Sequence, residues 1–138
     1  MKGTRDVPKA DLHMSRIENM LEAGTPDVEG CYRGHSFWME LKSAKRPRFP
    51  QTPVRFPTRD EQIEWLQCRV DTGGAASFLL SVNTGNGSGR CVYLVAGWYG
   101  HQLHKGLTEE HIGVYSVLTS VRPTALEVIR AACKVKRP

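Results

Sequence analysis

The sequence predicts an α/β fold, a central mixed β-sheet flanked by helices, within a single domain spanning residues 1–138. Three observations predict it. The runs "AASFLLSV" and "RCVYLVAGW" have the length and apolar content of strands bounded by turn residues. The segment "RDEQIEWLQCRVDTGG" repeats apolar residues at helical spacing and ends on a Gly-Gly stop. Arg33-Gly34 reads as a tight turn joining two antiparallel strands, and the long crossover from the second of these to the next strand suits parallel pairing. A chain of 138 residues can enclose one core and leaves little room for a second.

Taken in order, Leu12, Met14, Ile17, Met20 and Leu21 recur at helical spacing between about Lys9 and Ala23, and Gly24 with Pro26 supplies a stop, so a first helix is expected. Val28–Tyr32 and Ser36–Ser43 read as strands around Arg33-Gly34, where Gly34 can take the positive φ of a hairpin turn. "SAKRPRFPQTPVRFPTR" carries four prolines, each lacking a backbone donor, and reads as an extended basic loop. Ile63, Leu66 and Val70 form the apolar stripe of the helix that follows. The next two strands are joined by the turn-rich "NTGNGSG", a further strand is expected at Ile112–Leu118, and a last helix runs from Pro123 to about Cys133. Residues 1–8 and 134–138 are expected to be flexible.

Hydrophobic residues make up 40% and charged residues 24%, ordinary values for a soluble domain. No apolar run approaches the roughly 18 residues of a membrane helix, and "MKGTRDVPKADLH" lacks the apolar centre of a signal peptide. A cytoplasmic protein with no membrane partner is expected. Cys31, Cys68, Cys91 and Cys133 form no Cys-x-x-Cys pair, which leaves a zinc ribbon or redox dithiol without support and makes reduced, mostly buried thiols the default. His101, His104 and His111 share no ligand spacing with a carboxylate motif, Trp38, Trp65 and Trp98 read as core or interface anchors, and "GNGSG" reads as a hairpin loop.

The net charge of +5 favours a polyanionic partner, and its placement is informative. Lys45, Arg46, Arg48, Arg55 and Arg59 crowd the proline-rich loop, with no acidic residue between Leu41 and Arg59. A solvated linker is the plainer reading. Phe49 and Phe56, interleaved with the cations, favour contact with the phosphates and bases of DNA.

A two-residue turn at Arg33-Gly34 sets Tyr32 opposite His35, Gly30 opposite Phe37 and Asp27 opposite Glu40. Strand alternation then puts Lys42 on the face of Glu40, with Met39 and Leu41 turned to the apolar layer. Adjacent carboxylates repel and lose hydration, and a hard divalent cation such as Mg2+ or Mn2+ relieves both costs. A lysine beside them can stabilise charge on a phosphate or orient a water that the metal makes more acidic, so phosphodiester hydrolysis fits. Glu18, spaced helically from Met14 and Leu21, offers a further carboxylate, and Gln62, spaced likewise from Trp65 and Leu66, turns its amide inward. Glu22 and Glu29 are expected to be solvated, Glu29 facing away from the side of Asp27.

The residues "GTPD" and "WMELK", with Glu18 upstream and Gln62 downstream, resemble the PD-(D/E)XK nuclease superfamily and in particular its small virus-type replication-repair (VRR-NUC) branch. The resemblance covers roughly Arg16 to Val82. It implies a restriction-endonuclease-like core and a Mg2+- or Mn2+-dependent endodeoxyribonuclease. Glu18 in "RIEN", Asp27 in "TPD" and Glu40 in "ELK" would bind metal, Lys42 would assist hydrolysis, and Gln62 in "DEQIEWL" would support the site. It also implies branched DNA, such as a Holliday junction or flap, as substrate in phage or prophage replication, recombination or repair, and a two-fold dimer. The alternatives are a non-catalytic DNA-binding module of the same fold and a nuclease subunit of a larger complex. The proline-rich insert between Lys42 and Gln62 departs from a minimal member, and the chain after Val82 carries no assignable motif.

Overall fold

The computed structural model of the chain describes residue 4 and residues 7–17, 22–84 and 89–135. These residues form a six-stranded mixed sheet flanked by helices, with strand order β1-β2-β3-β4-β5-β6. The elements are β1 (Leu12–Arg16), β2 (Val28–Tyr32), β3 (His35–Lys45), α1 (Asp60–Asp71), β4 (Ala76–Asn83), β5 (Arg90–Ala96), α2 (Gly100–Lys105), α3 (Glu109–Tyr115), β6 (Ser116–Ser120) and α4 (Ala125–Lys134).

The register of the first hairpin is the expected one: Tyr32 pairs with His35, Gly30 with Phe37 and Val28 with Met39. Arg33 and Gly34 both take positive φ, 47° and 83°, as a primed hairpin turn requires. The crossover through α1 makes β3 and β4 parallel, from Trp38 opposite Ala76 to Lys45 opposite Asn83. The other neighbours in the sheet are antiparallel.

Two elements differ from expectation. The helix expected from Lys9 to Ala23 is replaced over Leu12–Arg16 by β1, which pairs antiparallel with β2 from Leu12 opposite Tyr32 to Arg16 opposite Val28. Leu12 and Met14 fit a strand period as well as a helical one, and the open edge of β2 supplies the backbone partners that decide between them. The strand expected at Ile112–Leu118 begins as α3: Thr108 caps it by accepting from the His111 N–H at 3.2 Å, and Ile112 is its fully buried anchor. Only from Ser116 does the chain join the sheet, as β6.

Both faces of the sheet are covered. On one, Val128, Ile129 and Ala132 of α4 pack against Val28, Phe37, Met39 and Leu94. On the other, Leu66 and Val70 of α1, Leu103 of α2 and Ile112 of α3 pack against Phe78, Leu80, Val82, Tyr93 and Val95. Val7 and Val135 belong to the first core, so the ends expected to be flexible contribute packing at those positions. Among the described residues no helix is long and apolar enough to cross a membrane.

The proline-rich segment has no regular structure over most of its length, as expected, but it is pinned rather than loose. Val54 exchanges backbone hydrogen bonds with Leu107 at 2.7 and 3.1 Å, and Val54 and Phe56 are buried in the second core. Phe56 therefore packs the interior and offers no base-stacking surface, whereas Phe49 is 52% exposed. The cysteines are free, but half-buried at positions 31, 91 and 133 and exposed at Cys68, rather than mostly buried.

One end of the sheet gathers the chemistry. The antiparallel register brings the end of β1 and the start of β2 together, and the parallel pair β3 and β4 finishes at the same end, where β5 starts. The first turn of α1 and the start of α4 reach this end from opposite faces.

Candidate active site

Asp27 lies just before β2, and two hydrogen bonds fix it: its carbonyl accepts from the Ile17 N–H at 2.7 Å, and its Oδ2 accepts from the Leu41 N–H at 2.9 Å. The hairpin register, continued one residue beyond the Val28–Met39 pair, places it across from Glu40, close enough for the two carboxyls to shift each other's titration. Gly24 sets the approach of this loop. It holds φ +89° and packs so closely on the Glu61 carbonyl and Gln62 nitrogen of α1 that a Cβ would collide with them. The "GTPD" turn is thereby docked on the first turn of α1.

Glu40 is 1% exposed, on the face of β3 that α1 covers. Its Oε2 accepts from Gln62 Nε2 at 2.7 Å, and Gln62 Oε1 in turn accepts from Lys42 Nζ at 3.1 Å and from the Arg59 N–H at 3.2 Å. Both of those partners are donors only, which fixes the orientation of the amide and commits its NH2 group to Glu40. Gln62 thus caps α1 and joins Glu40 to Lys42 in one network. Lys42 is half-buried on the same face, as strand alternation requires.

The electrostatics separate the two carboxyls. Burial, then the hydrogen bond to Asp27 and the charge of Asp27, push Glu40 up to about 8. Burial also acts to raise Asp27, but the hydrogen bonds from Glu40 and the Leu41 N–H, with the nearby Arg16 and Lys42 cations, outweigh it and hold Asp27 below its ordinary value. Near neutral pH the metal-free pair therefore carries one proton, held on Glu40 and donated to Asp27. Among the described residues no group of three His, Cys, Asp or Glu side chains converges on one point. The donor chemistry of Asp27 and Glu40 nonetheless fits a hard divalent cation, which would replace that proton and satisfy both carboxylates.

Glu18 lies outside the described residues, and Met14, from which its helical spacing is counted, belongs to β1. Glu22 is exposed, as expected. Glu29 is half-buried and, two residues along β2, falls on the same face as Asp27 rather than the opposite one, paired across the sheet with Trp38.

The basic loop divides into two groups. Arg46 is engaged with Glu109 of α3 through Nε at 2.7 Å and NH2 at 2.8 Å, and Tyr93 donates its hydroxyl to the same carboxylate at 2.6 Å. The Arg46 guanidinium holds Glu109 below the usual carboxylate range, so in this structure its charge is engaged within the fold. Nothing in the sequence announces a partner so distant along the chain. Lys45, Arg48, Arg55 and Arg59 are exposed; Arg48 lies over the Phe49 ring at 5.4 Å, and Arg55 reaches the His104 carbonyl at 3.4 Å. His104 accepts the Thr58 N–H on Nδ1, a structural role in keeping with the absence of a ligand spacing. Arg16, which sequence reasoning left out, stands at the end of β1 close enough to Asp27 to bias its charge.

No protein-family model matches this chain, and no curated protein sequence matches it.

Proposed function

We propose that the protein is a divalent-metal-dependent endonuclease that hydrolyses DNA phosphodiester bonds at the Asp27–Glu40–Lys42 site. The observation that carries this reading is the buried Glu40 carboxyl beside Asp27, coupled through Gln62 to Lys42 at one end of the sheet. A carboxyl buried against a second carboxyl is costly to maintain, and strongly shifted groups of this kind cluster at functional sites. The resemblance of "TPD" and "ELK" to PD-(D/E)XK nucleases points to the same residues.

Asp27 and Glu40 would hold Mg2+ or Mn2+, with Glu18 as the third carboxylate the resemblance implies. When bound, such an ion supplies Lewis acidity to a phosphate oxygen and makes a bound water more acidic. The residues of the chain do the rest. The Leu41 N–H and the Ile17 N–H fix Asp27, and Gln62 fixes Glu40, so neither carboxylate has to reorganise. The Lys42 ammonium, oriented by Gln62 Oε1, keeps further donors that would stabilise charge developing on the phosphate or on the attacking water. Exposed Lys45, Arg48, Arg55 and Arg59 supply sequence-independent attraction for the DNA backbone.

Branched DNA, a Holliday junction or flap, is the substrate class favoured by the resemblance, in phage or prophage replication, recombination or repair, with a two-fold dimer placing two sites for paired incision. The deciding experiment is cleavage of linear, nicked, flap and four-way substrates with Mg2+ or Mn2+, using Asp27→Ala and Lys42→Ala as controls. Metal-dependent cutting that falls at least about 100-fold in both variants is the expected result. Full activity in Asp27→Ala, or no cutting of any substrate, would refute it in favour of a DNA-binding module or a subunit that needs a partner.

A further inference from the structure

A second recess opens at the same end of the sheet, on the face opposite Glu40. It is a cleft of about 680 Å³ between the ends of β3, β4 and β5 and the first turns of α4. That volume lies within the roughly 300–1,000 Å³ of small-molecule sites. Its floor carries Leu41, Leu79 and Val92, and its rim carries Arg16, Arg90 and Ser43. Among the described residues no acidic side chain lines it. Neither Arg16 nor Arg90 forms a salt bridge among the described residues, in contrast to Arg46 and Arg33, which are paired with Glu109 and Asp11.

The two halves of this lining suit two halves of one ligand. Guanidiniums at the rim that form no salt bridge among the described residues match a phosphate, to which they can donate in parallel pairs. The aliphatic floor matches the face of a base, which gains by leaving water only if it is already out of its stack. A base paired within a duplex cannot enter a recess of this kind, whereas a base at an unpaired end or in a single-stranded branch can. Lys42 occupies the β3 position that borders the recess, while its ammonium turns to Gln62 on the Glu40 face, so the cleft and the carboxylate pair are separated by one strand.

We propose that this cleft binds one unpaired nucleotide, its phosphate on Arg90 and Arg16 and its base on the Leu41–Leu79–Val92 floor, and so selects DNA carrying a single-stranded branch or end next to the cleaved bond. The inference rests on the nuclease reading for its connection to cleavage, but the site itself is defined by binding. It deepens the expectation of branched substrates by assigning the preference to named residues.

The test is equilibrium binding in chelator, without metal, of three probes: a flapped duplex, a blunt duplex of the same length, and deoxyadenosine monophosphate. Two variants at exposed positions separate charge from shape. Arg90→Glu removes the phosphate partner, and Ser43→Trp fills the recess while leaving the arginines in place. The wild-type protein should prefer the flapped over the blunt duplex. Each variant should weaken flapped-duplex binding at least about fivefold while changing blunt-duplex binding less than about twofold, a single lost phosphate contact being modest against a whole footprint. Competition by the mononucleotide against the flap would identify the nucleoside phosphate as the recognised unit; competition failing while the flap preference stands would assign the preference to a continuous strand. Equal losses on both duplexes, no loss in Ser43→Trp, or no flap preference in the wild type would each overturn the proposal. Metal-dependent cutting of blunt or nicked duplex, measured in parallel, judges the nuclease reading independently.

Discussion

Glu40 and Gln62 meet at 2.7 Å across the contact between β3 and α1, and the same amide accepts from Lys42 at 3.1 Å. One side chain thus orients an acid and a base that a strand would otherwise leave free to rotate. Replacing Gln62 by Leu would keep the buried volume and remove both contacts. Cleavage or Mg2+ affinity should fall about 10–100-fold, the usual cost of losing a group that orients a metal ligand. Circular dichroism should show the fold retained, and unchanged kinetics would show that Gln62 only packs.

The Asp27–Glu40 pair gives the metal-free protein a distinctive pH response. Glu40 is raised from 4.5 to about 8, so the stability it contributes is full below the lower value and is lost as pH rises through the higher one. Asp27 acts in the opposite sense: its lowered carboxyl contributes stability at neutral pH that is lost in acid. Thermal unfolding in chelator should therefore show a declining Tm from about pH 5 to pH 8, and Glu40→Gln should flatten that decline. Because a bound cation must displace the Glu40 proton, Mg2+ should raise Tm more at pH 8 than at pH 6. A Tm difference independent of pH in the wild type would contradict a shared proton.

Gly24 has no side chain to donate or accept, yet it sets the position of Asp27. Gly24→Ala would force a Cβ into the Glu61 carbonyl at a φ of +89°, a conformation that costs a non-glycine residue about 1–3 kcal/mol before the collision is counted. Loss of stability by denaturant titration should accompany loss of cleavage, since the docked turn carries Asp27 away as it yields.

Arg46 and Arg48, two residues apart in the basic loop, should separate cleanly. Arg46→Ala breaks the bidentate pair with Glu109 and should lower stability by about 1 kcal/mol, a partly exposed pair being screened by solvent. Its effect on DNA affinity should be small. Arg48→Ala should leave stability unchanged, weaken DNA binding and reduce the salt slope of log affinity by about one. The reverse pattern would mean that the ion pair opens to let Arg46 meet the backbone.

The sequence by itself determined the parts of this protein whose cause is local. Arg33-Gly34 allowed one tight turn, that turn fixed the register, and the register put Asp27 beside Glu40 with Lys42 one pleat on, because strand side chains repeat every second residue. The helix of α1 was legible for the same kind of reason: Ile63, Leu66 and Val70 share a face and Gly73 ends it. Tertiary structure decided whatever depended on a partner distant along the chain. Leu12 to Arg16 became a strand because β2 had an open edge to satisfy, Phe56 turned inward because Val54 pairs with Leu107, and Arg46 was drawn to Glu109. The rise of Glu40 to about 8 belongs to this second group, since desolvation requires the helix and loop that cover it. Periodicity can say which residues share a face, but only packing says what that face is covered by.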